Sequence, residues 1–282
     1  MTTSEAALLA RKTWRTVEPL HGIIYFAPEA AAAYAELGIV DRDGYFASRA
    51  APMGAVSAEV VIATFFNFNP ELVHHALPAA WGITTPGELV AARFDAVDAV
   101  FRRLLGDDVV GSDEMQRAAD LARAAAEVAT QHVDGRPLAA AHAELAWPEA
   151  PHLVLWHAQS ILREYRGDGH IALLVTHGLS GIEALISHAA SGDIPAHLLR
   201  GSRAWPKENW AAAVESMRAR GWLTASDDLS FTEWGAAQRQ EIEEQTDELA
   251  IAPYAALGEE ACAELRTLTR PWSKVFSEHL MR

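Results

Sequence analysis

A short charged segment in the second half of the chain has the residue types that bind anions or transfer protons. It reads REYRGDGH over residues 163–170 and directly precedes an apolar stretch. Arginines hold anionic groups through charge-assisted hydrogen bonds, and a histidine beside a carboxylate can act as an acid–base pair. The two glycines would let the backbone approach a ligand or turn between helices. We predict a ligand-binding site that includes Arg163, Arg166, Asp168 and His170.

The first half of the chain contains a less polar counterpart of this segment. The counterpart reads FASRAAPM over residues 46–53, so Arg49 pairs with Arg166. The other charged residues of 163–170 align with small or apolar residues of 46–53. If a duplicated chain keeps one functional site, we expect its polar residues in one copy only. We predict a pocket between the halves, edged by both arginines and floored by Phe65 and Phe68. The alternative is a purely structural network of ion pairs.

The twelve histidines and the single cysteine limit the kinds of metal site that the chain could form. Because Cys262 has no second cysteine in the chain, an intramolecular disulfide or a cysteine-based zinc site is excluded. The histidines do not show the His-Glu-x-x-His spacing, so we expect no dedicated metal site. Axial haem ligation by one histidine stays open. The sequence identifies no cofactor and no catalytic residue.

Repeated residues at a constant spacing indicate an internal duplication. A shift of 120 residues pairs Pro28 with Pro148 and Pro86 with Pro206, and it also pairs two Asp-Asp dipeptides, at 107–108 and 227–228. Prolines and paired aspartates at one offset are harder to match by chance than alanines. We predict two repeats, residues 1–140 and 141–282, related by a pseudo-two-fold axis.

Helix start signals dominate both halves. Asn69-Pro70-Glu71, Thr85-Pro86-Gly87-Glu88 and Ser112 each predict the beginning of a helix. In the second half, 222–224 and 229–232 are typical of two short strands around a turn, and we expect a last helix over 258–269. The chain is therefore predicted to be mainly α-helical, with short β-hairpin wings.

Residues 205–248 resemble the recognition helix, wing and following long helix of MarR regulators. The matching features are Arg220-Gly221-Trp222, the stretch 229–232 and Gly235. The whole chain further resembles the actinobacterial SalK-like helix-turn-helix proteins, on the stretches EPLHGIIYFAPE, RAAPMGAVSAEVVIATFFNF and LREYRGDGHIALL. The resemblance implies an internally duplicated winged-helix pseudo-dimer and no particular activity. In MarR-like proteins small ligands bind between the long helices and the winged-helix lobes.

The net charge of −15 weighs against nucleic-acid binding, since neutralising phosphates supplies most of that affinity. Residues 205–235 contain three basic residues against five acidic ones, including Asp227 and Asp228 at the expected wing tip. Residues 85–115 contain three basic residues against seven acidic ones. We therefore expect that conventional DNA binding has been lost. A local basic face that includes Arg200, Arg203, Lys207, Arg218 and Arg220 stays open as an alternative.

Three functions fit these observations. The first is a small-molecule-binding protein, a sensor or a carrier, whose ligand the sequence does not identify. The second is a MarR-like DNA-binding regulator. The third is an enzyme that uses His170 with Asp168 or Glu164 as acid–base partners. The first ten residues lack an export signal and the apolar stretches are too short for a membrane span. We therefore expect a cytoplasmic protein without a membrane partner, and a monomer because the duplication already supplies the partner surface.

Overall fold

The computed structural model describes residues 1–226 and 228–280, and these residues are mainly α-helical. The helices, in chain order, are α1 (Thr3–Gly22), α2 (Pro28–Glu36), α3 (Asp41–Ala50), α4 (Ala58–Phe65), α5 (Pro70–Ala76), α6 (Pro86–Leu105), α7 (Asp107–Val110), α8 (Asp113–Thr130), α9 (Pro137–Ala143), α10 (Pro151–Thr176), α11 (Gly181–Ala190), α12 (Ala196–Ser202), α13 (Lys207–Ala219), α14 (Glu233–Leu249), α15 (Ile251–Leu257) and α16 (Glu259–Leu280).

Side-chain caps explain where several helices begin. The Thr85 hydroxyl accepts from the Glu88 backbone N–H at 3.2 Å, and the Glu88 carboxylate accepts from the Thr85 N–H at 2.8 Å. The Asn69 side chain accepts from the Glu71 N–H before α5, and Ser112 does the same for Met115 at the start of α8. Each cap satisfies a backbone donor that the helix leaves free. All three predicted helix starts are confirmed.

The last helix is longer than predicted. α16 continues past Thr269 and through Pro271 as far as Leu280. Proline costs a helix one hydrogen bond and a steric clash, yet Trp272 and Phe276 beyond it are buried in the core. Tertiary packing therefore outweighs the local stop signal.

The predicted β-hairpin wings are absent from the described residues. The second-half stretch forms one isolated antiparallel bridge, between Leu223 and Phe231, with two flanking hydrogen bonds: the Thr224 N–H donates to the Ser230 carbonyl and the Thr232 N–H to the Trp222 carbonyl. The corresponding stretch of the first half folds as α7. A loop this short completes too few backbone pairs for a strand. Asp227, predicted at the tip, lies outside the described residues.

The charged segment 163–170 lies within one continuous helix, α10, and does not turn between helices. A Cβ at Gly169 would lie 3.5 Å from the Leu249 side chain, which is ordinary contact distance. Gly169 therefore lies where α10 meets the end of α14, and of the two roles expected for the glycines the turn between helices is not formed.

Two hydrophobic cores lie on either side of the middle of α10. The large core contains buried residues of the first nine helices, the first half of α10, α15 and α16. The small core contains buried residues of α11 to α14 together with Leu174 near the end of α10. Because α10 contributes to both cores, it fixes the position of one relative to the other.

The long helices of the two predicted repeats pack across the chain. α10 packs mainly against α8, and α1 mainly against α16. The halves are therefore interlocked through their long helices. The boundary at residue 140 and the pseudo-two-fold axis stay predictions.

Residues 65–69 join the two cores and are referred to below as the joining segment. Phe66 has a φ of +61°, and the Asn67 N–H donates to the Phe65 carbonyl at 2.7 Å, which is a strained three-residue turn. The Phe66 carbonyl lies so close to α11 that a Cβ at Gly181 would be 2.0 Å from it. Trp205 donates from Nε1 to the Asn67 carbonyl at 3.0 Å. The joining segment thus holds the start of α11 against the large core.

Among the described residues, no single helix is long and apolar enough to cross a membrane. The pair α10 and α11 together has the length and composition of a span, but the two helices are bent by 98° relative to each other.

We expect Gly181→Ala to lower the free energy of unfolding by about 1–3 kcal/mol, because the added methyl group would overlap the Phe66 carbonyl. Gly201→Ala is the control, since it lies within α12 and a Cβ there meets no atom within 4 Å. That change should stabilise the protein by roughly 0.5–1 kcal/mol. Urea unfolding followed by circular dichroism measures both values. Equal effects of the two substitutions would contradict the close approach of α11 and Phe66.

Candidate functional site

A cleft of about 630 Å³ lies between the large and the small core. Its walls come from α1, α3, the joining segment, α10, α11, α12 and α14. The volume falls within the range of small-molecule sites. Six of the seven predicted ligand-binding residues line it: Arg49, Phe65, Phe68, Arg163, Arg166 and His170.

Asp168, the seventh predicted residue, is directed elsewhere. Its Oδ2 accepts from the backbone N–H groups of Leu138 and Ala139, each at 3.0 Å, in the first turn of α9. Burial raises the pKa of Asp168 to about 6, while these two donors act in the opposite direction. Asp168 therefore caps a helix, and its assignment to the ligand site is wrong.

His170 lines the cleft and bonds to α14. Its Nδ1 lies 2.9 Å from the Thr246 hydroxyl. Burial lowers the pKa of His170 to about 4, against the raising effect of Glu243, so the ring is neutral near pH 7. Residues two apart on a helix point about 200° from each other, which is why Asp168 and His170 take separate partners. The predicted acid–base pair of these two residues does not form.

Glu164 is the centre of an ion cluster in the cleft wall. Its side chain accepts from Arg163 at 2.6 Å and pairs with Arg49 of α3 at 3.2 Å, and Arg163 also pairs with Glu18 of α1 at 3.2 Å. Burial favours the neutral acid, but the two arginines outweigh it and hold the pKa of Glu164 well below its ordinary value. Arg163 is therefore already neutralised and is not available as an anion clamp.

Arg166 is held in a second set of ion pairs. It donates to Asp247 at 2.6 Å, and Asp247 also pairs with Arg11 at 3.2 Å. The Arg166 guanidinium lies over the Trp14 ring, 4.3 Å from its centroid. Like Arg163, Arg166 shapes the cleft wall while its charge is matched within the protein.

Arg203, which follows α12, also lines the cleft and was missed by the sequence analysis as a ligand-site residue. Its guanidinium lies 4.9 Å from the centre of the Phe68 ring, and that of Arg49 lies 4.2 Å from the centre of the Phe65 ring. The two phenyl rings are 6.5 Å apart. No spacing in the sequence indicates that Arg203 meets Phe68, because the contact joins segments 135 residues apart.

Buried polar atoms without a hydrogen-bond partner among the described residues collect on the cleft. Buried polar groups in folded proteins are nearly always paired, so this set is unusual. Five are donors and one is an acceptor: Trp14 Nε1, Arg49 Nε, Arg166 Nε, Arg203 Nε, Arg239 Nε and Asn67 Oδ1. Most of the unpaired polar atoms in the residues that line the cleft are therefore donors.

A second group of unpaired polar atoms lies inside the large core. His142 and His157 are buried, and neither ring nitrogen of either residue has a partner among the described residues. Nearby Arg93 and His142 line a cavity of about 10 Å³, which is the size of one water molecule. No group of three or more metal-binding side chains occurs among the described residues. Two histidines beside an arginine would be a poor cation site.

The two candidate DNA-contacting segments, residues 85–115 and 205–235, engage their arginines in contacts within the protein. In the second half, Arg218 pairs with Glu215 at 2.6 Å and donates to the Thr224 carbonyl, and Arg220 pairs with Glu183 at 2.6 Å. In the first half, Arg93 is buried. Arg102 and Arg103 there pair with carboxylates, Asp98, Asp107 and Glu29. Arg203, counted in the alternative basic face, lines the cleft.

The family comparison bears on these same segments. A model of a helix-turn-helix family matches residues 10–281. The chain belongs to this helix-turn-helix family. No curated protein and no solved structure matches it. A helix-turn-helix is a DNA-binding type of domain. In this chain α11, α12 and α13 all contribute to the small core, and α11 packs against both α12 and α13.

Removing the centre of the ion cluster should destabilise the protein strongly. Glu164→Gln leaves Arg49 and Arg163 without their shared carboxylate, and breaking a buried pair costs about 3–5 kcal/mol. The matched control is Glu127→Gln, which removes an exposed pair with Arg123 on α8 and should cost less than about 1 kcal/mol. Urea unfolding measures both. Similar costs for the two substitutions would mean that the buried cluster does not hold the wall.

Acid should destabilise the protein partly through His142. Burial lowers its pKa from 6.5 to about 3 in the folded chain, so as the pH falls below 6.5 the unfolded chain takes up a proton that the folded chain does not. At pH 5 this costs about 2 kcal/mol of stability relative to pH 7.5. His142→Leu should remove that part of the pH dependence.

The control for His142 is His132→Leu, at an exposed position, which should leave the pH dependence unchanged. Urea unfolding at pH 7.5 and pH 5 measures both variants. A parent-like loss of stability in His142→Leu would contradict a neutral, buried His142.

Proposed function

We propose that the protein binds a small molecule in the cleft, as a sensor or a carrier, and that its helix-turn-helix segments do not bind duplex DNA in the conventional way. The observation that carries the proposal is the set of unpaired donors on the cleft. A buried donor without a partner costs about 1–3 kcal/mol. Several of them on one surface favour a ligand that supplies acceptors.

The architecture that accompanies this proposal is a fused MarR-like pseudo-dimer. In its support, α8 begins at Asp113 and α14 at Glu233, which is the 120-residue offset of the sequence matches. Pro86 begins α6, and Pro206 immediately precedes α13. Long helices that pack across the halves are also what a fused pair of subunits would contain. The cleft then lies between the long helices and one helix-turn-helix unit.

The second candidate is a DNA-binding regulator, and membership of a helix-turn-helix family favours it. The internal ion pairs oppose it. To contact phosphates, Arg220 would have to leave Glu183, and Arg218 would have to leave Glu215 and the Thr224 carbonyl. An enzyme that uses His170 and Asp168 receives the least support, because Asp168 caps α9.

Filling the cleft should abolish ligand binding. Ala184 of α11 lines it, so Ala184→Trp places an indole ring in the binding volume. The control is Ala172→Trp, which makes the same change on the exposed side of α10. We expect native mass spectrometry of protein purified from cells to reveal a retained small molecule, or a thermal-shift screen of metabolites to give stabilising compounds. Either signal should persist in Ala172→Trp and vanish in Ala184→Trp.

Ligands that bind both variants equally would contradict the cleft as the binding site. DNA binding is tested by selection from random duplexes at physiological salt, and we expect no sequence to be enriched. A single tight consensus, weakened by Arg218→Ala and Arg220→Ala, would favour the regulator instead.

A further inference from the structure

The cleft contains more cations than carboxylates. Seven arginines and four carboxylates line it, although the chain as a whole carries a net charge of −15. The local excess of positive charge is therefore a property of this surface and is opposite to that of the rest of the molecule. Such a surface attracts anions.

The seven arginines differ in whether a carboxylate neutralises them. Five form ion pairs within the protein: Arg11, Arg49, Arg163, Arg166 and Arg239. Arg15 and Arg203 form no ion pair with a carboxylate of the described residues. Arg15 is exposed at the mouth of the cleft, whereas Arg203 is partly buried within it. Arg203 is thus the inner cation whose charge the protein leaves unmatched.

The surroundings of Arg203 are unfavourable for a cation alone. Burial lowers the pKa of its guanidinium, and the positive charges of Arg49 and Arg163 act in the same direction. Its Nε is buried without a partner, and its Nη1 donates only to the neighbouring Ser202 hydroxyl at 2.9 Å. An anion bound at the guanidinium would offset the repulsion from the other arginines.

The position of Arg203 is fixed before any ligand arrives. Its guanidinium rests on the Phe68 ring, and the adjoining backbone is held by Asn69, which donates from its N–H to the Arg203 carbonyl at 3.1 Å and from Nδ2 to the Ala204 carbonyl at 2.8 Å. A cation held in place loses little conformational freedom when an anion binds.

Apolar side chains form another part of the cleft wall. Leu185 of α11 and Leu199 of α12 are two of them, and Leu174 of α10 and Ile194 complete this wall. An inorganic ion would leave this wall uncovered, whereas a molecule with an anionic end and an apolar body would cover both surfaces.

We propose that Arg203 is an oxyanion subsite, and that the cleft takes a small amphiphilic acid whose carboxylate or phosphate meets Arg203 and whose apolar body lies along Leu174, Leu185 and Leu199. This inference rests on the proposed function, since it assigns the ligand class of the same cleft.

Two fluorescent probes of similar shape test the charge. 8-Anilinonaphthalene-1-sulfonate carries an oxyanion, and N-phenyl-1-naphthylamine has the same aromatic body without it. We expect Arg203→Met to weaken binding of the sulfonate roughly 10- to 100-fold, the range for one lost charge-assisted hydrogen bond. Binding of the neutral probe should change less than about 2-fold, because methionine keeps the apolar stem of the side chain. Arg203→Lys should restore part of the sulfonate affinity.

The matched control is Arg270→Met, which removes an exposed arginine that lies outside the cleft and has no ion pair among the described residues, and it should leave both probes unaffected. Thermal melting separates binding from folding: Arg203 has no carboxylate partner to lose, so Arg203→Met should melt at or above the wild-type temperature. Competition with decanoate, decyl phosphate and inorganic phosphate identifies the oxyanion. Displacement by either amphiphile but not by inorganic phosphate supports the proposal.

The outcomes separate this inference from the proposed function. If Ala184→Trp abolishes binding of both probes but Arg203→Met leaves the sulfonate affinity unchanged, the oxyanion subsite is wrong and the cleft remains a binding site. If inorganic phosphate displaces the sulfonate as well as the amphiphiles do, the amphiphilic ligand class is wrong. If neither probe binds in a way that Ala184→Trp changes, both proposals fail.

Discussion

The Glu164 carboxylate is almost completely buried on α10, and an ionised acid there is stable only because Arg49 and Arg163 lie against it. Arg49 comes from α3, and Arg163 reaches across to Glu18 of α1. The requirement to neutralise one buried charge therefore brings three helices together at a single point. That point is one wall of the cleft, which lies between it and the small core.

This arrangement divides the arginines of the cleft by physical role. An arginine matched by a carboxylate has a fixed position and little remaining charge to offer, as Arg166 shows with Asp247. An arginine that rests on an aromatic ring without a carboxylate keeps both its position and its charge, which describes Arg203. Counting arginines in a sequence treats the two kinds as equivalent, whereas only the second kind can gain much from a bound anion.

Local signals in the sequence predicted much of the secondary structure and little of the side-chain pairing. The caps at Thr85 and Ser112 act within four residues, so the sequence displays both partners and the helix starts could be predicted. The extent of α16 past Pro271 depends on burial of Trp272 and Phe276 in the large core, which no local pattern contains. The expected wing likewise failed because pairing in a hairpin depends on the packing around it.

The candidate site shows the same limit more sharply. Seven residues were predicted from their aromatic or charged types, and six of them line the cleft. Asp168 was misassigned because its two partners belong to α9, about 30 residues away, and because a helix turns it away from His170. Arg203 was considered only as part of an alternative basic face, because nothing near it in the sequence shows that it meets Phe68. Residue type indicated the presence of a site, and only the contacts decide which charges within it are free.

The cleft and the small core share α11, and this constrains how one could affect the other. Ala184 and Leu185 face the cleft, while the preceding residue, Glu183, accepts from Ser216 at 3.0 Å and pairs with Arg220. The start of α11 is fixed, since Gly181 lies directly against the Phe66 carbonyl. A ligand can shift a conformational equilibrium only through contacts that differ between the two states. With α11 held at its start and α13 tied to Glu183, such contacts would have to move α11 to α13 together about the joining segment. Release of Arg220 alone would leave the buried Glu183 carboxylate without its cation, with only the Ser180 N–H and the Ser180 and Ser216 hydroxyls as donors.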